Sequence, residues 1–306
     1  MREINRVAIV GMGALGLLFG ERIVSAIGKE NLCFVADEER VIRYRDVTFT
    51  INGEAKEFQV VPSYEACVVD LVIVAVKYNA LTNALDTMKN CVGKTTTIIS
   101  VMNGISSEEI IGARFGREKV LYTIAQAMDA VKLGYDLNYT KYGELRIGIK
   151  ETVQKERLDN VVRFLERVNI PYVVEEDIIH RLWGKFMVNV GINQTCMAYE
   201  ATYGEALSPG AAFDTMQGAM REVIALSQRE QINLTESDLE NYIEILKALS
   251  PDGAPSMRQD GIMKRPSEVE MFAGTVRSMA AKYGLPVPVN DMLYKRIKEM
   301  EARYSR

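Results

Sequence analysis

The chain has 306 residues, enough for two domains, and 48% of them are hydrophobic, which is ordinary globular usage. Formal net charge is −4, and no long basic run or basic patch interleaved with aromatics exists, which argues against nucleic acid as a partner. Cys33, Cys67, Cys91 and Cys196 are scattered, with no Cys-x-x-Cys pair. This argues against a metal site or disulfide framework and suits a reduced, cytoplasmic protein.

Arg2 and Arg6 precede an apolar stretch, Val7 to Phe19, that superficially resembles a signal peptide. Its glycines and the lack of a small-residue cleavage site make it core instead. No other apolar run approaches the ~18 residues of a membrane span, so no membrane association is expected.

Val7–Val10 reads as a buried parallel strand, Ala14–Ile27 as a helix stopped by Gly28, and Leu32–Ala36 as a second buried strand. Together they form a βαβ unit. Val47–Asn52 and Lys56–Val61 flank Gly53 and predict a small inserted hairpin. Strands follow at Leu71–Val76, Thr97–Val101 and Val120–Ile124, separated by helices at Asn79–Lys89 and Ser107–Phe115. This alternation predicts an α/β fold with a doubly wound sheet. Glu144–Gly148 and Tyr172–Val174 are late strands around an amphipathic helix, Lys155–Val168. Beyond Glu176 the pattern is helical, broken at Ser208–Gly210, Ser250–Gly253 and Gly284–Pro286. We therefore expect a Rossmann-type dinucleotide-binding domain at 1–172 and an all-helical domain at 173–306. Apolar helices such as Phe213–Leu226 could serve the domain core or the surface of a homodimer.

The turn Gly11-Met12-Gly13-Ala14-Leu15-Gly16 carries the dinucleotide fingerprint in its required context of strand before and helix after. Gly11 permits the tight turn, Gly13 admits the pyrophosphate, and Gly16 lets the helix pack closely. The helix N-terminus offers free N–H groups and a positive dipole end to the phosphates. Asp37 follows Gly16 by 21 residues. An acid there accepts from ribose hydroxyls and favours NAD, although the same residue would equally cap the next helix. Arg40 and Arg43 stand close enough in sequence to meet the 2′-phosphate of NADP.

Lys77 and Asn103-Gly104 end strands at the carboxyl edge of the sheet, where ligands sit in doubly wound folds. Each is equally readable as an exposed strand end or an ordinary turn. The single histidine, His180, has no patterned polar neighbours, so the proton donor is expected to be another residue type. Lys185, Asn189 and Asn193 recur at i, i+4 and i+8 in an otherwise apolar helix, which aligns them on one face. That face lines either a polar cavity or a solvated stripe. In a cavity, the Lys185 ammonium could protonate and stabilise an alkoxide formed by hydride arrival. Ser256-Met257-Arg258-Gln259-Asp260 and Ser267-Glu268-Val269-Glu270 form a further constellation. Ser267 with Glu270 reads as a capping box, leaving Glu268 as a first-turn charge or as a carboxylate that orients the lysine.

Over nearly its full length, the chain resembles the ketopantoate reductases. The resemblance rests on the Gly11–Gly16 turn, Ala75-Val76-Lys77, Asn103-Gly104, the Lys185/Asn189/Asn193 helix, and Ser256-Met257-x-Gln259-Asp260 followed by Glu268. It implies a C-terminal domain like that of 6-phosphogluconate dehydrogenase. It also implies reduction of 2-dehydropantoate to (R)-pantoate by NADPH, on the route to pantothenate and coenzyme A. By this resemblance Lys185 is the general acid, and Asn103, Asn189, Asn193 and Ser256 hold the substrate. Glu268 meets cofactor or substrate and helps place Lys185; Lys77 and Asn103 touch the cofactor, and Ala127 sits at its nicotinamide end. Two positions depart from the pattern. Asp37 replaces the usual arginine, which leaves NADH as an alternative to NADPH, and Tyr203 replaces an asparagine often found after the lysine helix. A reductase of another 2-oxo acid or an opine-type substrate is the alternative enzyme, and a dinucleotide sensor without catalysis is the non-enzymatic one.

Overall fold

A computed structural model describes residues 2–304. The chain divides into two compact units, one up to Ile178 and one from Ile179 onward.

The first unit is built on an eight-stranded sheet. Its strands are β1 (Val7–Val10), β2 (Leu32–Ala36), β5 (Val60–Pro62), β6 (Leu71–Val74), β7 (Thr97–Ser100), β8 (Val120–Gln126), β11 (Glu144–Gly148) and β12 (Tyr172–Val174). They lie in the order β12-β11-β8-β7-β6-β1-β2-β5. All neighbours are parallel except β8 and β11. From β5 to β8 this is the six-strand order of a dinucleotide-binding fold, with its reversal between β1 and β6. Alternate residues of one strand go to opposite faces. Val7, Ile9, Leu71 and Ile73 pack beneath α1 (Ala14–Ile27) and α5 (Lys155–Arg167). Ala8, Val10, Val72 and Val74 pack beneath α3 (Leu81–Thr87) and α4 (Ser107–Phe115). Both faces are covered, so these strands read as continuous apolar runs.

The hairpin expected around Gly53 is shorter than its sequence suggested. β3 (Phe49–Ile51) and β4 (Glu54–Lys56) form it, but Val60 and Val61 leave it and pair in parallel with Phe34 and Val35 of β2. β3 also pairs with β10 (Asp136–Asn138), which pairs with β9 (Val131–Leu133), so the hairpin becomes a four-stranded sheet. Phe49, Ile51 and Leu137 are its buried side chains.

Inside the first unit lies a buried polar cluster beside the loop that carries Asn103. The Ser100 hydroxyl donates to Ser107 Oγ at 2.8 Å, and Ser107 Oγ donates to Glu108 Oε2 at 2.8 Å. The Thr123 hydroxyl donates to the Ser100 carbonyl. The cluster thus ties the end of β7 to the start of α4 and the middle of β8, across the loop from 101 to 106. Burial raises the Glu108 carboxyl to about 7, against the Ser107 hydroxyl and backbone N–H groups that favour its charged form.

The second unit is helical. It comprises α6 (Ile178–Val188, the first residue of which belongs to the other unit), α7 (Gln194–Tyr199), α8 (Tyr203–Leu207) and α9 (Ala211–Arg229). α10 (Glu236–Lys247), α11 (Ser256–Ile262), α12 (Thr275–Tyr283) and α13 (Pro288–Glu301) complete it. α9 buries Met216, Ala219, Met220, Val223 and Leu226 in the core of this unit. Two π turns interrupt the helices, at Asn189–Asn193 and Glu270–Gly274. The capping box expected of Ser267 and Glu270 is not formed. Ser267 instead accepts from Val269 N–H at 3.3 Å and donates to Glu301 at 2.6 Å, while Glu270 accepts from the Tyr294 hydroxyl at 2.8 Å. Among the described residues, no helix is long and apolar enough to cross a membrane.

Glu108 holds its proton in the fold up to about pH 7, while the ordinary carboxyl loses it near 4.5. Its contribution to stability is therefore full below about 4.5 and is lost as pH rises through about 7. Glu108→Gln stays neutral at every pH. Its melting temperature relative to the parent should rise across this interval; a difference independent of pH contradicts the assignment.

Candidate active site

The fingerprint turn connects β1 to α1 at the point where the strand order reverses. Gly11 has φ +109°, and a Cβ there would lie 2.4 Å from the Ala75 carbonyl oxygen. A Cβ on Gly16 would lie 2.0 Å from the Gly11 carbonyl oxygen. These glycines are demanded by packing. Gly13 is not: its Cβ would meet only the Ala75 oxygen, at 3.8 Å. An approaching pyrophosphate is a reason for glycine at 13 that the protein itself does not supply. Gly13 also caps α1 without a side-chain bond, and the first turn holds no acid. Its N–H groups and positive end suit an anion. Met12 is buried, and Ala14 and Leu15 are half-buried.

The other residues expected around a cofactor follow the ends of neighbouring strands. Asp37 follows β2, Lys77 follows β6, Asn103 follows β7 and Ala127 follows β8. With the glycine turn after β1, they stand in one row along the carboxyl edge, in the order β2, β1, β6, β7, β8. At about 4.8 Å per strand the row spans roughly 19 Å. Lys77 is exposed and Asn103 half-buried. Ala127 is exposed with φ +61°, a conformation that costs a residue with a Cβ about 1–2 kcal/mol. Such strain gathers at ligand clamps and active sites.

Asp37 does cap the following helix, α2 (Glu38–Tyr44), by accepting from Arg40 N–H at 2.8 Å. Its other oxygen accepts from Arg40 Nη1 at 2.6 Å. Arg43 pairs with Glu39 at 2.6 Å. Both arginines that could have met a 2′-phosphate are therefore engaged by carboxylates.

In the helical unit, Lys185 is half-buried on α6, in a stretch where Leu182, Trp183, Phe186 and Met187 are buried. Trp183 meets Phe186 edge-on, with ring centroids 6.2 Å apart. Burial pushes the Lys185 ammonium down to about 8. The Glu268 carboxylate opposes this shift, and the Arg181 guanidinium reinforces it. Lys185 and Glu268, 83 positions apart in sequence, thus feel one another's charge. Arg181 was absent from the sequence reading, although its i, i+4 spacing to Lys185 would have placed it on the same face.

The helix from Lys185 to Asn193 is not the uniform α-helix that the spacing implied, because Asn189 begins a π turn and Asn193 ends it. Four α-helical residues overshoot a full turn by about 40°. A π turn closes i to i+5 and takes up less rotation per residue, which offsets that drift between the lysine and the distal asparagine. Asn189 is half-buried and Asn193 buried. Ser256 is the exposed first residue of α11, and Glu268 is half-buried just before the second π turn. Tyr203 is half-buried, and its N–H donates to the Gly253 carbonyl at 2.9 Å. His180 faces Asp238 at 3.5 Å.

The four cysteines are free thiols. Burial pushes Cys33 up to about 11, and Cys91 and Cys196 up to about 12, so none of these three is an activated nucleophile. Among the described residues, no group of three or more potential ligands is placed to hold a metal ion.

Comparison with known proteins agrees with both units. Residues 7–151 match the family described as ketopantoate reductase PanE/ApbA, and residues 177–301 match the C-terminal region of the same family. The 2-dehydropantoate 2-reductase of Streptococcus pyogenes serotype M3 is 23% identical over 304 residues, covering 97% of this chain and 98% of the relative. That of Vibrio cholerae serotype O1 is 22% identical, covering 98% and 99%. Among solved structures, a D-mandelate dehydrogenase with NADH and anilino(oxo)acetate superposes with a TM-score of 0.85 at 20% identity, covering 98% of this chain and 99% of that one. The 2-dehydropantoate 2-reductase of Geobacter metallireducens gives 0.80 at 21%, covering 96% and 99%. A dimeric ketopantoate reductase from Staphylococcus aureus gives 0.78 at 20%, covering 98% and 99%. With both regions matched in order over most of its length, this chain belongs to the ketopantoate reductase family.

Proposed function

We propose that this protein reduces the ketone of a 2-oxo acid with a nicotinamide dinucleotide, and that 2-dehydropantoate, giving (R)-pantoate, is its substrate. The observation that carries this reading is Lys185: a desolvated ammonium, set against Glu268, on the helix that bears Asn189 and Asn193.

The reduced nicotinamide, when bound, supplies the hydride. The Gly11–Gly16 turn would hold the pyrophosphate, Lys77 and Asn103 would contact the remainder of the dinucleotide, and Ala127 would border its nicotinamide end. Lys185 donates its proton to the substrate oxygen as negative charge develops there, and its positive charge stabilises that oxygen beforehand. The neutral amine left behind regains its proton from solvent, so each turnover consumes one hydride and one proton. Glu268 holds the lysine in its charged form and orients it, or accepts a substrate hydroxyl. Asn103, Asn189, Asn193 and Ser256 fix the substrate by hydrogen bonds.

For the cofactor we favour NADH. A carboxylate at the end of β2 accepts from ribose hydroxyls and repels a 2′-phosphate, and Arg40 is already held by that carboxylate. The same row of strand ends would serve NADPH if Arg40 swung away from Asp37. A second substrate reading is favoured by one observation, the likeness of the fold to a D-mandelate dehydrogenase. In this reading the substrate is a 2-oxo acid with a bulkier side chain. A homodimer like that of the Staphylococcus aureus neighbour is also proposed.

Lys185→Ala should lower turnover by roughly 10²–10⁴, the usual contribution of a general acid. The parent's reduction rate should be level below about pH 8 and fall above it as Lys185 loses its proton. Unchanged turnover in the variant, or a pH limb in the parent that the variant retains, removes Lys185 from this role. Steady-state kinetics with 2-dehydropantoate and a panel of other 2-oxo acids, run with NADH and NADPH in parallel, test substrate and cofactor. The expected result is the highest kcat/KM for 2-dehydropantoate with NADH. A higher value for an aromatic 2-oxo acid establishes the second reading, and a preference for NADPH overturns the role given to Asp37.

A further inference from the structure

The two π turns of the helical unit are joined by one side chain. In the second turn, Gly274 N–H donates to the Val269 carbonyl at 2.9 Å, an i to i+5 bond. That carbonyl would have accepted from Ala273 in an α-helix, so the turn deprives the Ala273 N–H of its helical acceptor. The Ala273 N–H donates instead to Gln194 Oε1 at 3.0 Å. The other end of the same carboxamide serves the first turn: Gln194 Nε2 donates to the Val190 carbonyl at 2.8 Å. The same nitrogen donates to Asn290 Oδ1 at 3.1 Å. Asn290 Nδ2 donates in turn to Glu222 Oε2 at 2.7 Å, and Glu222 also accepts from the backbone N–H groups of Val289 and Asn290 at 2.7 and 2.9 Å. Gln194 and Asn290 are both fully buried. A buried amide of this kind is costly to leave half-satisfied, so the network holds as a whole.

The position of this carboxamide gives it a consequence for the chemistry. Lys185 lies just before the first π turn, and Glu268 lies just before the second. If either turn relaxed to α-helix, the chain on one side would rotate about the helix axis by the equivalent of one residue, and a side chain ahead of the turn would point elsewhere. We propose that Gln194 is a positioning residue: its carboxamide holds both π turns open and thereby fixes the directions in which Lys185 and Glu268 face the substrate. This rests on the role proposed for Lys185. Gln194 touches neither substrate nor cofactor, and its effect is on the placing of the proton donor.

The test uses the full-length protein with two substitutions, Gln194→Leu and Gln194→Glu. Leucine has similar bulk and makes none of the three bonds. A neutral glutamic acid keeps the acceptor and one of the two donated bonds, whereas its ionised form keeps only the acceptor. For Gln194→Leu the expected result is a kcat lower by roughly 10²-fold, the scale of a small misplacement in a reacting constellation. NADH affinity, measured by fluorescence titration, should fall far less than kcat, because the glycine turn belongs to the other unit. For Gln194→Glu the expected result is activity that recovers toward the parent as pH falls and the carboxyl takes up its proton. Parent-like kcat in the leucine variant, or a Gln194→Glu rate that is a constant fraction of the parent's at every pH, overturns the inference. If Gln194→Leu does not fold, the pH response of Gln194→Glu decides alone. Lys185→Ala is measured alongside. If it is inactive while Gln194→Leu is parent-like, only the positioning inference fails; if it is fully active, the role of Lys185 itself fails.

Discussion

An ammonium taken out of water costs several kcal/mol unless charge and hydrogen bonds compensate it. The half-buried Lys185 sits under that constraint, as the lowered pKa of its ammonium shows. The side chain is set into an apolar helix beside Trp183 and Phe186, opposite the carboxylate of Glu268 and one turn from the guanidinium of Arg181. The balance leaves a lysine that gives up its proton near pH 8 instead of at its ordinary value. A donor poised there loses its proton to a developing alkoxide more readily than an exposed lysine does, yet remains charged at neutral pH. Lys185 and Glu268 each precede a π turn, uncommon in any protein, and one buried carboxamide bonds to both turns.

The cofactor side is governed by a different constraint, backbone crowding where the sheet reverses direction. Gly11 lies against the Ala75 carbonyl and Gly16 against the Gly11 carbonyl, so the first helix starts hard against the strand ends. Five adjacent parallel strands then end in a row of glycine, carboxylate, lysine, asparagine and a strained alanine. The buried Ser100, Ser107 and Glu108 cluster braces the asparagine loop from beneath. In the reaction we propose, the first unit would hold the hydride donor and the second would supply the proton.

Much of this was legible in the sequence because its signals are local. Three glycines at fixed spacing after Val7–Val10 announced the turn, and the helix Ala14–Ile27 and strand Leu32–Ala36 are observed with the bounds read from their apolar pattern. The four-stranded sheet was not legible. Its strands are three residues long, and β3 and β10 pair across 86 positions, so no local period marks them. The π turn was hidden for another reason. Lysine and asparagine four residues apart fit an α-helix equally well, and only the backbone shows that it widens at Asn189. Gln194 stood next to Asn193 as a polar residue in an apolar run, but its partners Ala273 and Asn290 lie 79 and 96 positions away. Asp37 does cap its helix, one of the two roles its position allowed, and its contact with a ribose remains part of the proposed function.

The most direct test of the central claim replaces the ammonium itself. In Lys185→Cys, alkylation of the new thiol with an aminoethyl reagent rebuilds a side chain of lysine's length with a less basic ammonium, with the equally treated parent as control. Reduction should be lost in the cysteine variant, return on alkylation, and then fall off at a lower pH than in the parent. Recovery with an unmoved pH limb, or a cysteine variant as active as the parent, would contradict Lys185 as the proton donor.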